Sequence, residues 1–265
     1  MKKTLKIWSA LILFLFLFPF GIEFLPDNGL SNSTKLLKEP AKIVYASNVF
    51  EEQNMETDEK KALLYFTHNH EAYKPVTMEK NGKMAVSHQS ENISTFGEKL
   101  KAQLIFNDIQ TDILPIDNMA ELKKNELLFD QAYKSIRPYV LKRIQEVEYD
   151  LIIDVHRDSA GPKQTTIVHE GEPYAKVAFV IGLDHPNFKH NREKSQLMKD
   201  EMEKLVPGIT RNMISKSGAG VDGKYNQDLH PSLILVELGG IGNSEDELNR
   251  TVSIIAKAAS SILSK

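Results

Sequence analysis

Beyond residue 60 the chain alternates short apolar runs with longer stretches whose apolar positions recur every three or four residues. Leu63-Leu64-Tyr65-Phe66, Leu151-Ile152-Ile153-Asp154-Val155, KVAFVIG from Lys176 to Gly182, and LILVEL from Leu233 to Leu238 are the short runs. Their length and near-continuous apolarity predict strands buried on both faces. Thr95 to Phe106 carries Phe96, Leu100, Leu104 and Ile105 at helical spacing. Asn125 to Val147 carries Leu128, Ala132, Ile136, Tyr139, Val140 and Ile144 on one face, with Pro138 inside, where a proline kinks or divides a helix. Asn187 to Leu205 reads as a helix stopped by Pro207-Gly208. Ser244 opens a last helix, with Glu247 three residues on completing a capping box. Strands separated by helices predict an α/β fold: a mainly parallel or mixed sheet with helices on both faces. In such sheets ligands bind beyond the carboxyl ends of the strands, so polar residues that follow the strand runs are the ones to watch.

The first sixty residues read differently. Lys2, Lys3 and Lys6 precede an uncharged run from Ile7, interrupted at Glu23 and followed by Phe24, Leu25 and Pro26. If Glu23 lies in the headgroup layer the run approaches the ~20 residues that span a bilayer. Gly21-Ile22-Glu23 is a poor small-x-small cleavage site, so residues 1–26 read as an uncleaved signal anchor rather than a cleaved signal. The lysines stay cytoplasmic, which predicts a single-pass membrane protein with residues 27–265 on the extracytoplasmic side. Residues 27–60 lack a sustained period and read as a tether, with Ile43-Val44-Tyr45 an alternative N-terminal strand. The remaining 61–265 form the domain.

Composition narrows the chemistry. Thirty-three basic against thirty-six acidic residues give a net charge of −3, which offers nucleic acid no basic footprint. There is no cysteine, so disulfides, thiolate metal sites and a cysteine nucleophile are excluded, and any metal falls to the eight histidines and the carboxylates. The chain has no G-x-S-x-G, no H-E-x-x-H and no phosphate-binding glycine pattern, which removes support for serine hydrolases, zincins and nucleotide binding.

What stands at the strand ends is a set of metal-type donors. His68 and Glu71 follow the first strand as H-x-x-E, His156 follows the second, and Glu237 lies within the last. A hydrolytic zinc site takes three protein ligands and keeps a position open for water; two histidines and a carboxylate are one such set. Residues three apart can face one side of a tight turn, and a neighbouring strand then brings the third ligand. Glu237, costly to bury as a charge among Leu233, Ile234, Leu235, Val236 and Leu238, is placed to take a proton from water. Spacing leaves His70 in competition with His68. Asp154 is either the orienting partner of a histidine or a strand-end cap, and Arg157 grips a substrate carboxylate or oxyanion, or pairs with Asp158. The glycine-rich stretch from Ser217 to Pro231 is a substrate-contact loop, with Lys224 and Asn226 its candidate contacts, or an ordinary long connection. His88, His169, His185, His190 and His230 read as surface histidines.

Four ordered stretches carry a resemblance. Tyr65-Phe66-Thr67-His68-Asn69-His70-Glu71-Ala72-Tyr73, Ile153-Asp154-Val155-His156-Arg157-Asp158, Lys224-Tyr225-Asn226-Gln227-Asp228-Leu229, and Val236-Glu237-Leu238-Gly239-Gly240-Ile241-Gly242-Asn243 resemble the motifs of the stage II sporulation protein P family. That family consists of membrane-anchored zinc N-acetylmuramoyl-L-alanine amidases of endospore-forming bacteria. The resemblance implies a zinc amidase/carboxypeptidase-like fold preceded by the membrane anchor, Zn2+ held by His68, Glu71 and His156, and Glu237 as the catalytic carboxylate. It favours His68 over His70. The family pattern H-T-H-x-x-E-S-Y has Phe66 here in place of its first histidine and Ala72 in place of its serine. It also implies peptidoglycan as substrate, and a lytic transglycosylase and a membrane-anchoring sporulation protein as partners.

The expected activity is therefore hydrolysis of the amide between the muramic acid lactyl group and L-alanine. Two alternatives predict different products: a zinc peptidase cuts within the stem peptide, and a wall-binding scaffold releases no fragments.

Overall fold

The four apolar runs become the four central strands of a six-stranded sheet, in the order β2-β1-β3-β8-β6-β7. The computed structural model describes residues 59–264. The expected anchor at 1–26 and nearly all of the tether lie outside those residues, and β1 begins at Lys60, one residue before the expected domain start. Among the described residues no helix is long and apolar enough to cross a membrane. β1 (Lys60–Tyr65), β2 (Ile109–Ile113), β3 (Leu151–Asp158) and β8 (Leu233–Gly240) run parallel, and β6 (Val177–Gly182) lies antiparallel to β8. β7 (Ile214–Lys216) closes the edge parallel to β6. A two-stranded antiparallel hairpin, β4 (Thr166–His169) and β5 (Glu172–Ala175), stands apart from this sheet. Helices α1 (Lys74–Asn81), α2 (Ile93–Phe106), α3 (Asn118–Lys124), α4 (Ala132–Glu146), α5 (Pro162–Thr165), α6 (Phe188–Leu205) and α7 (Glu245–Leu263) complete the fold.

The two edge strands escape a reading of apolar runs because edge strands are half wet: β2 is IQTDI and β7 is ISK, with few buried positions between them. Central strands show the opposite. Period two divides each between two cores. Ala62 and Leu64, Ile153 and Val155, and Ile234, Val236 and Leu238 face the larger core, which α2, α6 and α7 cover with Phe96, Leu100, Met198, Met202, Val252 and Ile255. Leu63, Tyr65, Ile152 and Leu233 face the smaller one, under Ile136 and Val140 of α4.

The helix expected from Asn125 starts later. Glu126 adopts a positive φ of 53°, and Leu128 and Phe129 are exposed, so the chain makes one 3-10 turn at Phe129–Gln131 before α4 begins at Ala132. Pro138 does not divide α4: it lies on the exposed side, where the carbonyl left without its N–H partner can meet water. Asn92 caps α2 by accepting the Ser94 N–H. Ser244 and Glu247 form the expected capping box of α7.

Candidate active site

Strand register assembles the site. His156 of β3 pairs directly with Glu237 of β8, and Asp154 pairs with Tyr65 of β1 on the other side. Alternation puts Asp154, His156 and Glu237 on one face, the face that α4 covers. After β1 the chain turns sharply through Thr67, whose N–H and hydroxyl both donate to the fully buried Asp154 at 3.0 and 2.6 Å. Asp154 Oδ2 also lies 3.0 Å from His156 Nε2, close enough to pair electrostatically though not aligned as a hydrogen bond. One carboxylate thus anchors the turn that carries His68 and steadies the His156 ring.

Within that turn the Glu71 N–H donates to the His68 carbonyl at 3.0 Å, which brings both side chains of the H-x-x-E pair to the β3 end. Glu71 Oε2 accepts the Arg157 N–H at 2.8 Å and lies 3.9 Å from His156 Nδ1. The His68 ring stands 5.4 Å from the His156 ring. His70 points elsewhere and pairs with Asp117 at 3.1 Å. Phe66 belongs to the larger core, packed against Gly97 of α2, and Ala72 is buried too. The two departures from the family pattern therefore fall on core packing.

Electrostatically the site asks for positive charge. Burial acts downward on His156, but Asp154, Glu71 and Glu237 outweigh it and hold the imidazole up at about 9. Burial lowers His68 to about 4, with the charge on His156 adding to the effect, so its ring is neutral at pH 7 and its lone pair is free. Burial pushes Glu237 up to about 7, against the pull of His156, and pushes Glu71 upward in the same way. His68 Nδ1 and Glu237 Oε2 are buried without a hydrogen-bond partner, which is costly for polar atoms. Among the described residues no group of three or more histidine or acidic side chains stands at the spacing of a closed metal site. In kind, however, the donors fit zinc: a neutral imidazole with a free buried nitrogen, a second imidazole facing a carboxylate, and surplus negative charge.

A cavity of about 510 Å³ opens beside His68, walled by Phe129, Asp130, Tyr133, Asp222 and Tyr225. Phe129 stacks on His68 at 4.4 Å, while Tyr133 stacks on His156 at 6.1 Å and meets Tyr225 edge-on at 5.0 Å. These aromatics do not stand out in the hydrophobic pattern of the sequence. Tyr133 carried a usable signal, since it lies three and seven positions before Ile136 and Val140 on the covered face of α4; Phe129 and Tyr225 sit in a turn and a loop, which have no period. Tyr225 and Asn226 both hold φ at 54°, a strained region for residues with a side chain. Asp222 holds them there by accepting the Lys224 and Tyr225 N–H groups. Arg137 of α4 then clamps Asp228 through both nitrogens at 2.8 Å and donates to Asn226 at 3.0 Å.

The remaining candidates divide. Lys224 is exposed at the cavity edge. The Asn226 amide is buried and committed, its oxygen to Arg137 and its nitrogen to the Tyr133 carbonyl, so it shapes the loop. Arg157 is buried, and donates to the Val86 and Asp158 carbonyls at 2.7 and 3.3 Å. Its expected alternative partner, the Asp158 carboxylate, pairs with Arg211. His185 is not a surface histidine: it is only 6% exposed, and its ring meets Phe188 edge-on at 6.5 Å.

With this geometry in place, comparison with known proteins identifies the group to which the chain belongs. The family model described as Stage II sporulation protein P matches residues 27–260, and the chain belongs to that family. A Stage II sporulation protein P of Bacillus subtilis (strain 168) is 34% identical over 202 residues, which cover 75% of this chain and 50% of that one. The chain thus spans about half the length of this curated relative. Among solved structures, a metallo-carboxypeptidase from Burkholderia cenocepacia aligns over 79% of this chain and 58% of its own, at 11% identity and a TM-score of 0.48. A succinylglutamate desuccinylase from Chromobacterium violaceum aligns over 78% and 64%, at 9% identity and a TM-score of 0.43.

Proposed function

We propose that this protein is a peptidoglycan hydrolase of sporulation, and that it cleaves the amide between the muramic acid lactyl group and L-alanine. The observation that carries the reading is the buried group at the β3 and β8 ends, where His68 Nδ1 and Glu237 Oε2 have no hydrogen-bond partner, next to a cavity that His68 helps to wall. His68, Glu71 and His156 would hold a zinc ion. When bound, zinc supplies Lewis acidity toward the substrate carbonyl and lowers the pKa of water.

The protein's own residues do the rest. Glu237, buried and held near 7, takes the proton of the attacking water and returns it to the leaving amine of L-alanine. Asp154 keeps the His156 ring oriented while also fixing the turn that bears His68. Phe129, Tyr133 and Tyr225 offer apolar faces against which a sugar ring packs, and Asp130 and Asp222 offer acceptors to its hydroxyls. An anchor at residues 1–26 would set this domain on the extracytoplasmic side, where its substrate lies.

Incubating the full chain with purified peptidoglycan, with and without a chelator, tests the reading by mass spectrometry of the released fragments. Free stem peptides beginning at L-alanine, lost on chelation, are the expected result. Cuts inside the stem would move the activity to peptidase, and an absence of fragments would overturn the hydrolase.

A further inference from the structure

A second cavity of about 280 Å³ adjoins the first and shares Tyr133 and Asp222 with it, yet its charge is opposite. The first has carboxylates and aromatic rings and no lysine or arginine in its wall. The second brings in Lys134, Arg137 and Lys224. Arg137 is spent on Asp228 through its two-pronged pair. Asp222 takes the backbone N–H groups of Lys224 and Tyr225 on one oxygen of its carboxylate. With Lys134 from α4 and Lys224 from the loop that Arg137 holds to it, three cations and two carboxylates line the space, which leaves it net positive. Two lysines brought from distant parts of the chain to one concave surface, which shares with the first cavity the Tyr133 ring that stacks on His156, make an anion receptor beside the candidate site.

We propose that Lys134 and Lys224 bind a carboxylate of the leaving stem peptide, and so set both the direction in which substrate lies and its preferred form. This rests on the peptidoglycan reading above. The sugar occupies the acidic aromatic cavity and the peptide runs into the basic one. Along the stem peptide the carboxylate met first beyond L-alanine is the free α-carboxylate of the γ-linked glutamyl residue that follows. Converting that group to a carboxamide removes the charge while keeping the shape, which makes it the discriminating probe.

The test is calorimetric binding of two synthetic stem tripeptides to the full chain, alike except that the second residue carries a free carboxylate in one and a carboxamide in the other. The free acid binds about tenfold tighter, as a charge-assisted contact requires, and added salt narrows the difference. Lys134→Gln with Lys224→Gln abolishes the preference. Equal binding of the two peptides, binding of neither, or a preference that survives the double substitution overturns the proposal. Both lysines are exposed, so a circular dichroism spectrum matching the parent guards against misfolding. Because binding needs no turnover, the two readings fail separately. A protein that discriminates the peptides but does not release them from the glycan keeps the receptor and loses the amidase. One that releases them without discriminating does the reverse.

Discussion

Glu237 and Asp154 lie on the same face of neighbouring strands, and their surroundings give them opposite tasks. Glu237 Oε2 has no partner and its carboxyl is raised to about 7, the state of a group kept ready to exchange a proton. Asp154 is fully buried and receives two hydrogen bonds from Thr67, which fix its side chain in place. Glu237→Gln keeps the shape and removes the proton acceptor. It should lower cleavage at least ~100-fold, with bound zinc, measured by atomic absorption, unchanged; full activity would remove Glu237 from the mechanism. Asp154→Asn should act through the ring it steadies, weakening zinc affinity by about 10–100-fold; competition with a chromogenic chelator measures this. The sequence offers a proton acceptor at Glu237 and, at Asp154, either an orienting partner or a strand-end cap, but not the hydrogen bonds that set the two carboxylates apart.

At the scale of elements, Phe66 and Gly97 explain how β1 and α2 come together. A methyl group at Gly97 would lie 2.1 Å from Phe66 Cζ, so the helix approaches the ring only because the side chain is absent. Gly97→Ala should cost about 1–3 kcal/mol through overpacking, seen as a lowered thermal midpoint. Phe66→Leu in the same chain should recover part of that loss, since contacting residues couple; strict additivity would show that the two do not share the space. Gly240 is constrained in the same way at the far end of β8, with the Ala160 carbonyl 2.3 Å from where its Cβ would stand. Sequence pattern found the central strands and most helices because burial on both faces, or on one helical face, leaves a period. It missed β2 and β7, whose exposed positions dilute that signal, and it drew the start of α4 too early because Leu128 is apolar without being buried.

For the molecule as a whole, a few charge pairs join segments far apart in the chain. Lys99 of α2 and Lys80 of α1 both reach Glu245 at the start of α7, at 2.6 and 3.3 Å, and Arg137 of α4 clamps Asp228 of the loop. The Lys99 hydrogen bond holds Glu245 below its ordinary value, and Arg137 does the same for Asp228. Carboxyls depressed in the folded state stabilise it above their unfolded values, about 4–4.5, and lose that contribution as pH falls through the lowered folded values. The double variant Asp228→Asn, Glu245→Gln should therefore have a lower urea midpoint than the parent at pH 7, and the gap should close toward pH 3. A gap that persists in acid would mean that the pairs act by packing rather than by charge.

By itself the sequence determined the class of fold, the order of its central strands and helices along the chain, and the placing of His68, Glu71, His156 and Glu237 in or just after its strands. These are consequences of local period and residue chemistry, which act between near neighbours. Only the tertiary structure decided that His68 rather than His70 turns toward His156, that Asn226 and Arg157 spend their polar groups on the protein itself, and that Tyr133, Phe129 and Tyr225 wall the cavity. The reason is physical: β3 meets β8 through a parallel register, and α4 meets the loop through Arg137 and Asp228, contacts between segments that no local repeat relates. Which side chains share a site follows from how sheets and helices bury their faces together, and that is settled by the whole chain at once.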